Sequence, residues 1–361
     1  MDGEKFYIKQ KKSRHSMLNF KKPSASSEYN LVKEKGMKRF LKRYENYQRY
    51  LNCLDRKNID YEPIKMDIEP TSMCNLKCHM CIVSTSGYKG TSLSFDKFKD
   101  ILDKQIGVFE LKIQGLGEPF LNKDFTKMVK YASDLDIWTR STTNATILHE
   151  NDNYKEIIDA NIGELQISVD GVKKETYEKI RIKSNFEKVS NNCKLINNYQ
   201  KEKGVQKTRM WTLLQKDNYE DLYKFPKFAK ELGFDRLTIS IDVNGWGDDE
   251  WSKINSEKKV ELTQDDIDKL LEISDEIDLD LTFWDISTKY NKSNICEWPF
   301  SRGMISADSN VVPCCIISDP KIYTFGNVAD FDAIWFDDYK EFRENHIDGK
   351  IPEVCKFCYE K

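Results

Sequence analysis

The stretch Met66–Cys81, MDIEPTSMCNLKCHMC, places three cysteines in one short loop: Cys74, Cys78 and Cys81. Three closely spaced thiolates can ligate three irons of a cubane [4Fe–4S] cluster and leave the fourth iron open to a substrate or cofactor. A zinc site usually needs four ligands. This loop offers no fourth one nearby, because His79 adjoins Cys78 and we expect it to point elsewhere. The loop therefore predicts an iron–sulfur site that can do chemistry as well as carry electrons.

The composition is ordinary for a soluble globular protein: the 361 residues are 39% apolar and 32% charged, enough for two or three domains. No run of about 18 apolar residues occurs, so we expect no membrane insertion. The N-terminus lacks the apolar core of a signal peptide. We therefore expect a cytoplasmic protein without a nucleic-acid partner. In a cytoplasmic protein we expect its ten cysteines to serve as metal or redox ligands in preference to forming disulfides.

The N-terminal segment differs in charge from the rest of the chain. Residues 1–60 carry 16 Lys/Arg against 7 Asp/Glu, whereas the whole chain has a net charge of −3. Such a basic arm can contact an anionic partner, or it can be a solvated helix packed on an acidic body. Apolar residues recur at three- and four-residue intervals from Met37 to Leu54. They predict one amphipathic helix over residues 28–57, with a packing face that could also close a barrel end.

From residue 64 onward, strand and helix patterns alternate along the chain, which predicts a parallel sheet. Ser94 and Asp124 are candidate N-caps, and Gly204 and Gly233 fit positions just after helices. The strand candidates are Lys65–Glu69, Glu110–Gln114, Asp136–Thr142, Glu164–Val169, Thr208–Leu214 and Arg236–Ile241. The helix candidates are Ser94–Gln105, Asp124–Leu135, Tyr154–Ala160, Phe186–Lys203 and Tyr219–Leu232, followed by helix Thr263–Glu276 and strand Leu279–Asp285.

This cysteine loop, placed after the first strand, resembles the radical S-adenosylmethionine (SAM) superfamily and its CxxxCxxC signature. The resemblance covers roughly residues 64–361. It implies an α/β fold with a partial (β/α)6 barrel over residues 61–285. The basic helical extension over residues 1–60, predicted above from its own pattern, would precede this barrel. In that family the amino and carboxylate groups of SAM chelate the open iron.

Three motifs fall after predicted strands, where parallel α/β folds bind their ligands. Residues 115–119, GLGEP, resemble the family's GGEP motif, which holds the SAM amino group, with Leu116 in place of a glycine. Residues 142–145, TTNA, resemble its TNG turn; Ala145 replaces the glycine, so Asn144 is a candidate for the left-handed residue.

Residues 168–171, SVDG, resemble the family's SxDG stretch, whose serine contacts SAM. Arg181 matches, displaced by one residue, the arginine that pairs with the SAM carboxylate. The alternative is that these residues form plain turns and a surface arginine. By the resemblance, the cofactor-binding residues are Gly115, Gly117, Glu118, Asn144, Ser168, Asp170 and Arg181.

A second cysteine set lies near the C-terminus: Cys296, Cys314, Cys355 and Cys358, in the pattern C-x17-C-x40-C-x2-C. Four thiolates can ligate a complete [4Fe–4S] cluster, and they can also hold a structural zinc. The pattern resembles the twitch domain, a shortened SPASM domain, which implies a small α+β domain over residues 286–361 with an auxiliary [4Fe–4S] cluster.

Cys315 adjoins Cys314 and is the candidate catalytic residue. A thiol beside the active site could return a hydrogen atom to a substrate radical, as in radical epimerases. The alternative is a small residue that fills space by the cluster.

The resemblance implies that the reduced cluster cleaves SAM to a 5′-deoxyadenosyl radical, which abstracts a substrate hydrogen. A flavodoxin or ferredoxin would supply the electron. We expect oxidation or epimerisation of a carbohydrate- or cyclitol-like small molecule. One alternative is a maturase that modifies a peptide or protein side chain, and another is a non-catalytic electron-transfer protein. Candidates for the substrate site are Asp242, Asn244, Trp246, Arg209, Trp211 and Asp285.

Overall fold

The computed structural model describes residues 26–85, 87–284, 290–291 and 294–359 and is organised around one ten-stranded sheet. The strands are β1 Lys65–Ile68, β2 Glu110–Ile113, β3 Trp138–Thr143, β4 Glu164–Ser168, β5 Thr208–Leu213, β6 Arg236–Ser240, β7 Asp280–Trp284, β8 Arg302–Ile305, β9 Asn310–Val312 and β10 Gly326–Asn327. Their order in the sheet is β10-β9-β8-β1-β2-β3-β4-β5-β6-β7.

The strands from β1 to β7 run parallel, in chain order. Helices lie between most of them, so the predicted α/β partial barrel is confirmed. Strands β4 and β6 are buried at every residue, as expected for parallel strands covered on both faces. The predicted strand Leu279–Asp285 is present as β7, although Asp285 lies outside the described residues.

Helices pack along the sheet and also form the described part of the N-terminal segment. The α-helices are α1 Ser26–Arg39, α2 Leu41–Asn52, α3 Phe95–Lys104, α4 Phe125–Asp134, α5 Asn153–Asp159, α6 Lys174–Ile180, α7 Phe186–Glu202, α8 Phe225–Glu231, α9 Asp249–Ser256, α10 Gln264–Glu276, α11 Trp298–Ser301, α12 Phe331–Ala333 and α13 Tyr339–Ile347. Short 3₁₀ segments span Ile82–Ser84, Pro119–Leu121, Glu150–Asp152, Tyr219–Lys224, Val328–Asp330 and Glu353–Cys358, and a π-helical turn spans Ile334–Asp338. Within the described part of the chain, none of these helices has the length and apolar character that a membrane crossing needs.

Local signals mark several of these helix ends. Ser94 accepts a hydrogen bond from the Lys97 backbone N–H and caps α3, and Gly204 and Gly233 adopt φ of +68° and +87° after α7 and α8, as predicted. Asp124 occupies the N-cap position of α4, as predicted, although its side chain makes no capping hydrogen bond.

The N-terminal segment is two helices and not the single predicted one. Phe40 is extended (φ −117°, ψ 92°) and separates α1 from α2. The two buried residues of α2 are polar: the Arg43 guanidinium donates to backbone carbonyls of Ile106 and Leu135, and Asn46 exchanges hydrogen bonds with the backbone of residue 62. Several residues of the predicted apolar stripe are consequently exposed, namely Leu41, Tyr44, Leu51 and Leu54.

The C-terminal region extends the same sheet. Strand β8 pairs in parallel with β1, with Lys65 opposite Arg302, and β9 and β10 continue antiparallel beyond it. The expected boundary between barrel and C-terminal domain, at residues 285 and 286, lies outside the described residues. The division into residues 1–60, 61–285 and 286–361 therefore stays a proposal.

Candidate active site

A cavity of about 420 Å³ lies along the inner face of the parallel strands. All three cysteines of the first loop line it. Six of the predicted cofactor-binding residues line it as well, and Asp170 does not. Those six are Gly115, Gly117, Glu118, Asn144, Ser168 and Arg181. The structure therefore brings the separate motifs of the sequence to one place.

Backbone hydrogen bonds hold the cysteine loop against the chain that follows α6. The Lys77 N–H donates to the Ile182 carbonyl at 3.0 Å, and the His79 N–H donates to the Ile180 carbonyl at 3.2 Å. The His79 ring lies 3.0 Å from the Gln215 side-chain oxygen, so it is engaged away from the three thiols, as predicted.

In this loop Cys78 is buried and Cys74 and Cys81 are half-buried, and the three thiols are close enough to influence one another. Burial raises the pKa of Cys74 to about 11 and that of Cys81 to about 12, and neighbouring cysteines add to both shifts. Burial also raises the pKa of Cys78, which Arg181 opposes. Buried thiols of this kind become thiolates when a metal centre supplies compensating positive charge. The donor set therefore suits a metal cluster.

No disulfide joins any of the ten cysteines, all of which lie in the described residues. Within that part of the chain, no three His, Cys, Asp or Glu side chains are arranged to hold a metal ion. A cubane binds its thiolates at separate iron corners, and so needs them farther apart than a single ion does.

The carboxylate of Glu118 joins two of the site loops. It accepts hydrogen bonds from the Thr143 hydroxyl at 2.6 Å, from the Asn144 N–H at 2.7 Å and from the Phe120 N–H at 3.3 Å. Burial raises the pKa of Glu118 to about 7, and these hydrogen bonds act in the opposite direction. Glu118 thus holds the loop after β2 against the loop after β3.

The left-handed residue of the turn after β3 is Ala145, with φ of +60°, so the expectation for Asn144 is wrong. The Asn144 side chain is used otherwise: its amide donates to the Asn75 side chain at 2.9 Å, and its oxygen accepts from Thr146. The Asn192 amide donates to the Ala145 carbonyl at 2.7 Å. These contacts tie the turn to the cysteine loop and offset the cost, about 1 kcal/mol, of a left-handed alanine.

Both glycines of the GLGEP loop are required by close approaches within the protein. A Cβ at Gly115 would lie 2.1 Å from Glu69 Oε1, and one at Gly117 would lie 2.3 Å from the Thr71 carbonyl oxygen. Leu116, in place of the family's glycine, is buried against Ile82 and Val83.

Arg181 faces the cavity and is oriented by Asp170. Its Nε donates to Asp170 Oδ2 at 2.6 Å, and Nη1 lies 3.8 Å from the Cys78 sulfur. Burial disfavours the positive charge, but Asp170 and Cys78 hold the pKa of Arg181 above its ordinary value. Asp170 is fully buried and also accepts from the Leu213 N–H at 2.8 Å. Asp170 is thus placed to position Arg181, without lining the cavity itself.

The second cysteine set packs around Tyr290, Ile316, Ile317 and Tyr359, which form a small apolar cluster. The Cys296 N–H donates to the Tyr359 hydroxyl at 2.9 Å. Burial raises the pKa of each of the other three thiols, and neighbouring cysteines raise it further. The structure therefore brings together all four predicted ligands, Cys296, Cys314, Cys355 and Cys358.

Cys315 belongs to both parts of the site. It packs in the same C-terminal cluster as Cys314, yet it lines the cavity that the first three cysteines line. Burial raises the pKa of the Cys315 thiol, and the nearby cations Lys112, Arg302 and Arg140 lower it.

Some of the predicted substrate residues line the cavity, together with residues that were not predicted. Arg209 is buried and paired with Glu164 at 3.2 Å, so it is not a substrate residue here. Asn255 was missed; its amide donates to the Met80 carbonyl, as does the Trp246 indole at 3.0 Å. Of the predicted substrate candidates, the cavity is lined by Asp242, Asn244, Trp246 and Trp211. The lining residues that sequence reasoning did not identify include Lys112, Arg140, Trp284 and Arg302; charged residues at alternate strand positions were the available signal.

Two family models match the chain: the radical SAM superfamily over residues 68–229, and SPASM, an iron–sulfur cluster-binding domain, over residues 296–359. Together they cover more than half of it. Mycofactocin maturase MftC of Mycolicibacterium smegmatis is 26% identical over 195 residues, which are 54% of this chain and 48% of MftC. The matched region thus spans about half the length of MftC.

PqqA peptide cyclase of Bradyrhizobium diazoefficiens is 24% identical over 308 residues, 82% of this chain and 78% of the relative. Among solved structures, Streptococcus suis SuiB bound to S-adenosylmethionine superposes with a TM-score of 0.62 at 17% identity, covering 78% of this chain and 68% of SuiB. This likeness shows a shared fold. The two domains indicate that the cofactors are SAM, a [4Fe–4S] cluster that binds it and auxiliary iron–sulfur, which favours iron–sulfur over zinc for the C-terminal cysteines. The chain therefore belongs to the radical SAM superfamily and is a radical SAM enzyme with a C-terminal SPASM iron–sulfur domain.

Proposed function

We propose that this enzyme is a maturase that modifies a side chain of a peptide or protein. Its similarity to PqqA peptide cyclase, over 82% of the chain, is the observation that carries the substrate class. MftC is also named as a maturase, and SuiB has been solved bound to precursor peptide SuiA. These relatives favour a peptide over the carbohydrate-like small molecule expected first.

The residues of the cavity divide the work of the reaction. Cys74, Cys78 and Cys81 would hold the SAM-binding cluster, and Arg181, oriented by Asp170 at 2.6 Å, would hold the SAM carboxylate. When bound, the reduced cluster supplies the electron that cleaves SAM to a 5′-deoxyadenosyl radical, which abstracts the substrate hydrogen. Ser168 and the backbone of the GLGEP and TTNA loops would complete the cofactor site, which Glu118 holds in place.

Three tryptophans, Trp211, Trp246 and Trp284, line the same cavity. Their apolar rings would exclude water from the reacting atoms, which protects a radical from side reactions. Cys296, Cys314, Cys355 and Cys358 would hold the auxiliary cluster. With four thiolate ligands and no open iron, that cluster would supply a place for an electron from the substrate. Cys315 also lines the cavity and would be a candidate to return a hydrogen atom to the substrate.

The test is anaerobic turnover of the reconstituted enzyme with dithionite, SAM and two extracts of the producing cells, one enriched in peptides and one in carbohydrates. We expect the peptide extract to stimulate 5′-deoxyadenosine formation above the rate without extract, and protease treatment of that extract to remove the stimulation. Stimulation by the carbohydrate extract alone would contradict the proposal.

The mass of the modified peptide then distinguishes two outcomes. A product that has lost the mass of two hydrogens indicates net oxidation, with the electron passed to the auxiliary site. A product of unchanged mass indicates that a hydrogen atom is returned to the substrate. When the Cys315 thiol donates it, its S–H bond breaks, and the thiyl radical regains an electron from dithionite and a proton from solvent. Cys315→Ala should then lose this product while 5′-deoxyadenosine still forms.

A further inference from the structure

The inner wall of the cavity carries two cationic side chains that make few polar contacts with the described residues of the protein. Lys112 on β2 and Arg140 on β3 are register partners, and both line the cavity. Lys112 is half-buried and, within the described ranges, forms no hydrogen bond or ion pair. Arg140 reaches Glu110 only at 3.7 Å, with 13% of its side chain exposed, and its buried Nε has no hydrogen-bond partner among the residues the structure describes.

The nearby carboxylates are already held by other cations. Glu110 contacts Lys65 at 3.1 Å and Arg302 at 3.3 Å, which are shorter distances than its approach to Arg140. Asp67 pairs with Arg302 at 2.9 Å.

Glu164, next to Arg140 on β4, pairs with Arg209 and Arg236. Four cations on β1, β2, β3 and β8 thus face two carboxylates on the same strands. These are Lys65, Lys112, Arg140 and Arg302 against Asp67 and Glu110. The wall is short of negative charge.

Three other acids line the cavity, and none corrects this imbalance. Glu118 is engaged by three hydrogen bonds from the loops that it joins. Glu297 is held by the Arg56 guanidinium through two hydrogen bonds, at 2.7 and 3.0 Å. Asp242 lies after β6, close enough to Cys358 to influence its thiol. Gln114, two residues beyond Lys112, also lines the cavity, and its buried Oε1 has no partner among the described residues. Among the described residues, the wall therefore combines an excess of positive charge with a side-chain amide oxygen that accepts no hydrogen bond.

We propose that Lys112 and Arg140 form a carboxylate-binding subsite that holds an acidic group of the peptide substrate beside Cys315. The inference rests on the proposed peptide-modifying function and specifies its substrate. Guanidinium groups bind carboxylates through paired hydrogen bonds, and an ammonium adds a point charge. In this partly desolvated wall, such a group would gain more than at an exposed surface. The carboxylate can come from an acidic side chain or from the chain terminus.

The experiment measures binding to the reconstituted enzyme with SAM by anaerobic calorimetry. The probes are acetyl-Glu-amide, acetyl-Gln-amide, acetyl-Ala with a free carboxylate, and inorganic phosphate. We expect acetyl-Glu-amide or acetyl-Ala to bind at least about tenfold more tightly than acetyl-Gln-amide, and the tighter of the two identifies the source of the carboxylate. Equal binding of acetyl-Glu-amide and acetyl-Gln-amide, with acetyl-Ala no tighter, or tighter binding of phosphate than of either carboxylate, would overturn the subsite.

Two variants locate the preference. Lys112→Met leaves no ion partner unpaired, so it should fold, and we expect it to lose the preference for a carboxylate. Lys194→Met, on the exposed face of α7, is the matched control and should keep it. A preference that survives in both Lys112→Met and Arg140→Met would refute the assignment. Iron–sulfur absorbance checks that each variant assembles its clusters. Wild-type enzyme that binds the carboxylate but cleaves no SAM would refute the proposed function and leave the subsite standing.

Discussion

The Glu69 carboxylate accepts a hydrogen bond from the Ala307 backbone N–H at 2.9 Å. Its other oxygen accepts from the Leu116 N–H at 2.6 Å. Glu69 directly follows β1 and Ala307 lies just after β8, so one buried carboxylate ties the GLGEP loop to the C-terminal region. A movement of either region would leave a buried carboxylate without its donors, which costs about 1–3 kcal/mol. The two halves of the site are therefore mechanically linked.

Glu69 should make stability depend on pH. Burial raises the pKa of Glu69 from 4.5 to about 7, although its two backbone hydrogen bonds lower it. Between those values the folded protein keeps a proton that the unfolded chain releases. The free energy of unfolding should therefore fall as pH rises from about 4.5 to 7, by at most ~1.4 kcal/mol per pH unit for this group.

Glu69→Gln cannot release that proton, so its stability should fall less steeply over the same range. Anaerobic urea unfolding at several pH values measures the slope of the free energy of unfolding against pH. Glu118, whose pKa is raised to a similar value, accounts for the slope that remains in this variant. Exposed Glu175→Gln is the control and should keep the wild-type slope. An unchanged slope in Glu69→Gln would show that Glu69 is ionised throughout.

Asp170→Asn should weaken SAM binding through Arg181. An asparagine can still accept from the Leu213 N–H, but its amide cannot accept from Arg181 Nε, which now donates at 2.6 Å. We expect KM for SAM to rise about tenfold, equivalent to about 1.4 kcal/mol, with a smaller change in kcat. Asp100→Asn, which breaks the exposed pair with Lys104, is the control. A fall in kcat at constant KM would assign Asp170 to the chemistry and not to positioning.

Cys78→Ala should abolish SAM cleavage, because two thiolates cannot hold the site-differentiated cluster. The readouts are 5′-deoxyadenosine formed with dithionite and iron content, which should drop by about four atoms per chain. Cys53→Ala is the control, because this thiol packs near α2 and donates to the Asp55 carbonyl, and it should retain both. Normal cleavage by Cys78→Ala would remove this cysteine from the proposed ligands.

Cys358→Ala should separate the two metal centres. It removes a ligand from the C-terminal set but leaves Cys74, Cys78 and Cys81 intact, so uncoupled SAM cleavage should persist while product formation stops. Mass spectrometry of the peptide alongside 5′-deoxyadenosine assays measures both. Full turnover by this variant would exclude the auxiliary cluster from the mechanism.

The sequence predicted what short-range patterns determine. Seven strands, the Ser94 cap and the glycines after α7 and α8 follow from residues that lie next to one another along the chain. The cysteine loop could be read for the same reason, because its ligand spacing is local.

The features that the sequence did not predict arise from contacts between distant segments. The break at Phe40 accompanies contacts of Arg43 with carbonyls more than sixty residues away. The pairing of β8 with β1 and the Glu69–Ala307 hydrogen bond join residues more than two hundred positions apart. Lys112 and Arg140 converge only because β2 and β3 are neighbours in the sheet.

The most direct test of the account is SAM cleavage by the anaerobically reconstituted wild-type enzyme under dithionite. We predict iron–sulfur absorbance and the formation of 5′-deoxyadenosine and methionine in equal amounts. Exposure of the enzyme to oxygen should remove both the absorbance and the cleavage activity. A protein that takes up iron and sulfide yet leaves SAM uncleaved would contradict the central claim that the cavity beside Cys74, Cys78 and Cys81 is a radical SAM active site.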